Sequence, residues 1–222
     1  MSSPGSHTFI LAATRRNTYL VRGEVTAPSA TERATAVHTD DMPDIRLRPV
    51  LRDDLSWMIA MAADRDAVGE HNWAGPTDPD ELLGRLHHQF QCDGFLDPRG
   101  GRLVVDLDGE PIGDVSWRPE RWGPSDGSAC PAIGIALLPE FRGYGYGTTA
   151  QRLLVDHLFR EYGVHRVQSD TAIDNPAEQR ALEKAGFTRE GVVRHAELRD
   201  GRYHDHVLYG ILRDEWLIAQ KE

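Results

Sequence analysis

The residues with the clearest chemistry are Arg142-Gly143-Tyr144-Gly145-Tyr146-Gly147-Thr148, in which three glycines alternate and a threonine pair closes the run. Glycine lets the backbone take positive φ and approach a ligand with no Cβ in the way. The apolar run Ile133 to Leu138 precedes this turn, and a helical pattern with Leu153, Leu154, Leu158 and Phe159 follows it. The turn therefore lies between a strand and a helix. The first N–H groups of a helix lack internal partners and carry partial positive charge, so backbone alone can hold a pyrophosphate there. No Gly-Lys-Ser/Thr follows, which excludes a Walker loop, and no βαβ unit opens at the turn, which argues against a dinucleotide fingerprint.

A second motif follows at Asp174-Asn175-Pro176, which opens a helix running to Ala185 and stopped by Gly186. Arg142-x-x-Gly145-x-Gly147 followed about thirty residues later by Asn175 to Gly186 resembles the GNAT superfamily of N-acetyltransferases. In wording the chain from Ile45 to Trp216 is most similar to the branch containing the ribosomal-protein N-terminal acetyltransferases. The resemblance implies an α+β fold: a mixed central sheet of about seven strands with a splayed central pair, flanked by about four helices. It also implies acetyl-CoA as co-substrate and no metal. The backbone of Ile135, Ala136 and Leu137 would hold the pantetheine arm. Arg142, Gly143, Tyr144, Gly145, Tyr146, Gly147 and Thr148 would hold the pyrophosphate, and Asn175 would contact the pantetheine or its leaving end.

Acetyl transfer to an amine needs a neutral amine, and an alkyl ammonium has a pKa far above 7, so a base must take its proton. Many relatives place a glutamate where this chain has Ala132, and a tyrosine where it has Leu182. Both usual residues are missing, which leaves a water-mediated route or a base drawn from elsewhere. The candidates are Asp170 and Asp114, on strands expected beside the splay. Gln168-Ser169-Asp170 resembles a stretch of aminoglycoside 6'-N-acetyltransferases in which the aspartate meets the drug's amine. Against this stands the plainer expectation of strand-end carboxylates facing solvent or pairing with Arg166 or Arg118. Glu70 and His71 are a third choice. His204 and His206 share one side of a strand, but no third metal ligand is in view.

The elements that must position these residues follow from periodicity. Ile45 to Arg48 alternates as a strand, and Asp53 or Asp54 caps a helix carrying Leu55, Met58, Ile59 and Ala62. A second helix follows Pro79. Leu103 to Leu107, Asp108-Gly109 and Pro111 to Trp117 read as a hairpin on a favoured two-residue turn. Arg118 to Cys130 reads as a loop. Val164 to Thr171 is a strand, and Phe187 to Leu198, Asp200-Gly201 and Tyr203 to Leu212 form a closing hairpin, whose last strand is the expected surface of a homodimer. Residues 1–44, rich in Ser, Thr, Ala and Pro, read as a loosely attached extension, and 45–222 as one acetyltransferase domain.

The composition sets limits on partners. The 222 residues carry 35 Asp and Glu against 25 Lys and Arg, a net charge of −10, which argues against nucleic acid and favours a cationic amine. Two isolated cysteines and the lack of a membrane-length apolar run or signal peptide predict a cytoplasmic protein. The acceptor is read first as a peptide or protein N-terminus, with an aminoglycoside- or polyamine-type small molecule as the alternative. A non-catalytic acyl-CoA sensor is the rival from another class.

Overall fold

The computed structural model describes residues 44–221 apart from Ala74 and Thr77. The expected extension falls, but for its last residue, outside the described residues. The chain runs β1 (Ile45–Pro49), α1 (Asp54–Ala63), α2 (Arg65–Val68), α3 (Pro79–Asp93), β2 (Leu96–Asp97), β3 (Gly100–Leu107), β4 (Glu110–Arg121) and β5 (Ala129–Leu137). It continues with α4 (Tyr146–Glu161), β6 (Arg166–Ala172), α5 (Pro176–Lys184), β7 (Thr188–Arg199), β8 (Arg202–Leu212) and α6 (Arg213–Ala219). The strands form one sheet in the order β1-β3-β4-β5-β6-β8-β7, with the short β2 beside β3. There are thus eight strands and six helices among the described residues, where the sequence predicts about seven and about four.

Both expected hairpins form, and their central residues take the positive φ that such turns need: Asp108 and Gly109 at 53° and 93°, Asp200 and Gly201 at 49° and 76°. The stretch from Arg118 to Cys130 is a loop only in its middle, 122–128, because its two ends continue β4 and β5. β4 and β5 stay in antiparallel register as far as Arg121 and Ala129, with Pro119 opposite Pro131. The carbonyl of Ile133 points away from β4, because it accepts from Ser169 Oγ at 3.2 Å. By alternation Trp117–Ile133 and Pro119–Pro131 are non-hydrogen-bonded pairs, so neither proline removes a bond between these strands. The helix α6 was not expected at all. Its Trp216 stacks 5.3 Å from Phe159 of α4 and donates to Asp156, so tertiary packing makes a helix of a segment with little periodicity of its own.

Each face of the sheet has its own core. On one face Leu103, Val105, Val115, Trp117, Ile133, Val167, Val207 and Tyr209 pack against Ala150, Leu154, Val155, Leu158 and Phe159 of α4. Each such side chain fully withdrawn from water contributes about 1.5–3 kcal/mol. On the other face Val50, Leu55, Met58, Phe95 and Val104 form a smaller cluster under α1 and α3. Asp54 does not cap α1 with its own first turn as expected. It accepts from Leu51 N at 2.7 Å and takes both guanidinium nitrogens of Arg48, tying β1 to the helix. No helix among the described residues is long and apolar enough to cross a membrane.

Candidate functional site

The sheet opens at its one parallel step. β5 and β6 are in register only at Ala132–Gln168, and beyond that pair they diverge. In an extended strand the N–H and C=O of one residue point the same way, and the next residue points oppositely. Ile133, Ile135 and Leu137 therefore turn their peptide groups toward β6 and the opening. Their carbonyls accept from Ser169 Oγ, from Asn72 Nδ2 at 3.2 Å and from Arg142 Nε at 2.8 Å. The amides of Ile135 and Leu137 point the same way. Ala136 turns its peptide toward Asp114 on β4, so the opening is served by its two neighbours.

The chain then leaves β5 through a single 3₁₀ turn and enters the glycine run. Gly143 and Gly145 have φ of 86° and 88°, and a Cβ on either would stand in open space. The backbone there is exposed to whatever fills the cleft. Gly145 is the N-cap of α4, and the first internal bond of the helix runs from Thr149 N to the Gly145 carbonyl. That leaves the amides of Tyr146, Gly147 and Thr148 as the open end of a sixteen-residue helix, where an anion is stabilised. A Cβ on Gly147 would touch the Cδ1 atoms of Ile135 and Leu137 at 3.7 Å, so the helix start sits directly on the opened strand.

Arg142 does not project into the cleft as a free cation. Its guanidinium is bonded to the Leu137 carbonyl and to the Ala67 carbonyl at the end of α2, and burial holds its pKa below the usual arginine value. The arginine is a clasp that fixes the glycine run to α2. Tyr144 is exposed and stacks on Tyr146 with ring centroids 5.7 Å apart. Neither ring belongs to the cleft wall.

The opposite wall is α5. Asn175 caps it, accepting from Glu178 N at 3.2 Å while its amide donates to Thr171 Oγ1. Glu178 lies on the same wall, and Gln151 of α4 donates to its Oε1 at 2.8 Å. Burial pushes the Glu178 carboxyl up to about 7 against the pull of that hydrogen bond. The cleft between these walls encloses about 500 Å³ and is lined by Ile135, Leu137, Arg142, Gly143, Gly145, Gly147, Thr148 and Asn175, all expected from the sequence. It also takes in Glu70, His71 and Asn72 from the α2–α3 loop, and Glu178, Arg180 and Lys184 from α5.

At the rim formed by Glu70 and His71 the cleft meets a charged network on the last hairpin. Arg199, only 7 % exposed, donates to Asp174 Oδ2 at 2.7 Å and contacts the Nδ1 atoms of His71 and His204. The Arg199 guanidinium holds the Asp174 carboxyl below the usual carboxylate range. His206 lies between two carboxylates, 2.7 Å from Asp170 Oδ2 and 3.2 Å from Glu197 Oε2. Arg118 approaches Asp170 Oδ1 at 3.4 Å and Glu120 at 3.1 Å. Glu70, Glu120, Asp170, Asp174 and Glu197 thus face two guanidiniums, an excess of negative charge that suits a cation.

The two expected catalytic carboxylates are in different settings. Asp170 is partly open, with about a third of its side chain exposed. Asp114 is buried, donated to by Arg102 at 2.8 Å through Oδ1, and its Oδ2 has no hydrogen-bond partner. Burial raises its pKa. The reading of the sequence overlooked Glu178, Gln151, His206 and Arg199 as members of the site. Two left a signal: His206 shares one side of a strand with His204, and Asn175-x-x-Glu178 has the spacing of a capping box, yet the Glu178 carboxylate reaches Gln151 instead of its own helix start.

An antiparallel sheet with one parallel step, splayed beside a helix N-terminus, defines a cleft for a phosphate-bearing carrier. The family model for the acetyltransferase (GNAT) domain matches residues 44–188, and the chain belongs to that family. Among its relatives, a putative ribosomal N-acetyltransferase of Bacillus subtilis is 36 % identical over 84 residues, 38 % of this chain and 46 % of that protein. The match thus spans about half the length of that relative. The spermidine N(1)-acetyltransferase of Escherichia coli is 25 % identical over 177 residues, covering 80 % of this chain and 90 % of that one. The structure of a spermidine N-acetyltransferase from Vibrio cholerae, in complex with CoA and spermine, superposes with a TM-score of 0.67 at 24 % identity, over 78 % of this chain and 98 % of the other.

Proposed function

We propose that residues 45–222 form an acetyl-CoA-dependent N-acetyltransferase whose acceptor is a primary amine of a small polyamine. The observation that carries the acceptor is the excess of carboxylates around His206 and Arg199, at the rim of the cleft. An extended polycation can lay successive ammonium groups along Glu70, Asp174, Glu197 and Asp170, whereas a peptide N-terminus brings one. The two relatives named for spermidine support this over the peptide N-terminus expected first.

The residues fit the carrier by the geometry of the cleft. Acetyl-CoA supplies the thioester. Amides at the start of α4 and at Gly143 and Gly145 hold the phosphates, and the amides of Ile135 and Leu137 hold the pantetheine arm and polarise the acyl oxygen. Asp170 takes the proton that the ammonium must lose, with His206 holding its second oxygen in place. The test is release of free thiol from acetyl-CoA with spermidine, spermine, short diamines, aminoglycosides and a peptide panel. Release with the polyamines alone is the expected result. Release with peptides alone would overturn the acceptor, and no release with any amine would favour the sensor.

A further inference from the structure

Glu178 is a half-buried carboxyl in the wall of the cleft assigned above to acetyl-CoA. Among the described residues it has no ion-pair partner; its one side-chain hydrogen bond comes from Gln151 Nε2. Gln151 is itself 1 % exposed, and its Oε1 has no hydrogen-bond partner. A buried acceptor without a donor costs stability. A proton on Glu178 removes both difficulties at once. The acid O–H can then turn to the amide of Gln151, whose Oε1 lacks a donor, and Glu178 itself adds no unpaired charge to the wall.

Most of the charged groups nearby are bonded elsewhere. Across the cleft Arg142 serves the Leu137 and Ala67 carbonyls, and Glu70 lies beside His71. On α4, Arg152 bonds the Lys184 carbonyl, and Asp156 accepts from Trp216. At the ends of α5, Asp174 is held by Arg199 and Glu183 accepts from Tyr209. Arg180 and Lys184 share the cleft wall with Glu178 without touching its carboxyl.

We propose that Gln151 and Glu178 form an uncharged amide–carboxylic acid pair joining α4 to α5, and that acetyl-CoA binds only while Glu178 keeps its proton. Glu178 is a positioning residue in this reading, which rests on the assignment of the cleft to acetyl-CoA. A carboxylate formed there would face the phosphates across the helix start and repel them. Binding must then take up a proton wherever the free protein has lost it. Burial brings that loss to about pH 7, within the working range.

Calorimetric titration of acetyl-CoA into the full chain from pH 6 to pH 8.5, in two buffers of different ionisation enthalpy, tests this. The carrier's own phosphate also titrates, so the readout is the difference between wild type and Glu178→Gln. Wild type is expected to lose about fivefold in affinity between pH 7 and pH 8 relative to the variant, with proton uptake that the variant lacks. Identical profiles for the two proteins would overturn the proposal. Gln151→Leu removes the donor to the carboxylate and the acceptor of the acid proton together, so its transition shifts away from that of wild type. An unmoved transition would count against the pair. A folding check by thermal melting doubles as a second readout: wild type loses stability between pH 5 and pH 8 as Glu178 gives up its proton, so the Tm of Glu178→Gln minus that of wild type is larger at pH 8 than at pH 5. Absence of acetyl-CoA binding at every pH in wild type sinks the assignment of the cleft instead, which keeps the two failures distinct.

Discussion

The two halves of the site are built from different material. The carrier cleft is made mostly of backbone: two amides of β5, the glycine run and the open end of α4. The proposed acceptor side is made of side chains from five segments, Glu70 and His71, Arg118 and Glu120, Asp170, Asp174, and the last hairpin from Glu197 to His206. A backbone site is set by the fold and tolerates most changes of side chain. The side-chain site can be rewritten residue by residue without disturbing the sheet, which is how one fold serves many acceptors.

That contrast can be broken by substitution. Asp170→Asn is expected to lower kcat/KM for the amine by about a hundredfold, the lower end for a lost proton acceptor, with calorimetric affinity for acetyl-CoA unchanged. Equal loss in both would show that the halves are not separable. Gly145→Val acts on the other half. The left-handed backbone at φ 88° disfavours a branched residue, so acetyl-CoA affinity falls by about tenfold or more, visible in the same titration. Arg199→Met should lower Tm, because it leaves Asp174 and Glu197 without their guanidinium, while the added negative charge should hold KM for the polyamine level or lower it. Steady-state kinetics and a melting curve check both. Asp114→Asn sharpens the assignment by its small effect: with the carboxyl buried against Arg102, kcat/KM stays within about twofold, and a large loss would restore Asp114 as the base.

The same division explains what the sequence discloses. The glycine run, the Asn175 cap and both Asp-Gly hairpins are local devices, each written in adjacent residues. The acceptor side is not local. Asp170 meets His206, and Gln151 meets Glu178, only because β6 pairs with β8 and α4 packs on α5. Arg142 shows the limit of a motif: its place in the pattern suggests a phosphate ligand, while its contacts make it a clasp between the turn and α2. The stretch after Trp117 misleads for another reason. Its prolines and glycines resemble a loop, but a proline whose missing donor faces away from its paired strand does not end the pairing.

Those two prolines matter at the margin of the sheet. β3 stops opposite Trp117 and β6 touches β5 only at Ala132, so among the described residues no further strand flanks the far ends of β4 and β5. Uncovered strand ends of this kind are where molecules in a crowded solution stick together, each borrowing the other's backbone donors. Pro119 and Pro131 have no donor on the outward side to lend. The tip of this ribbon is thereby kept from recruiting a neighbour.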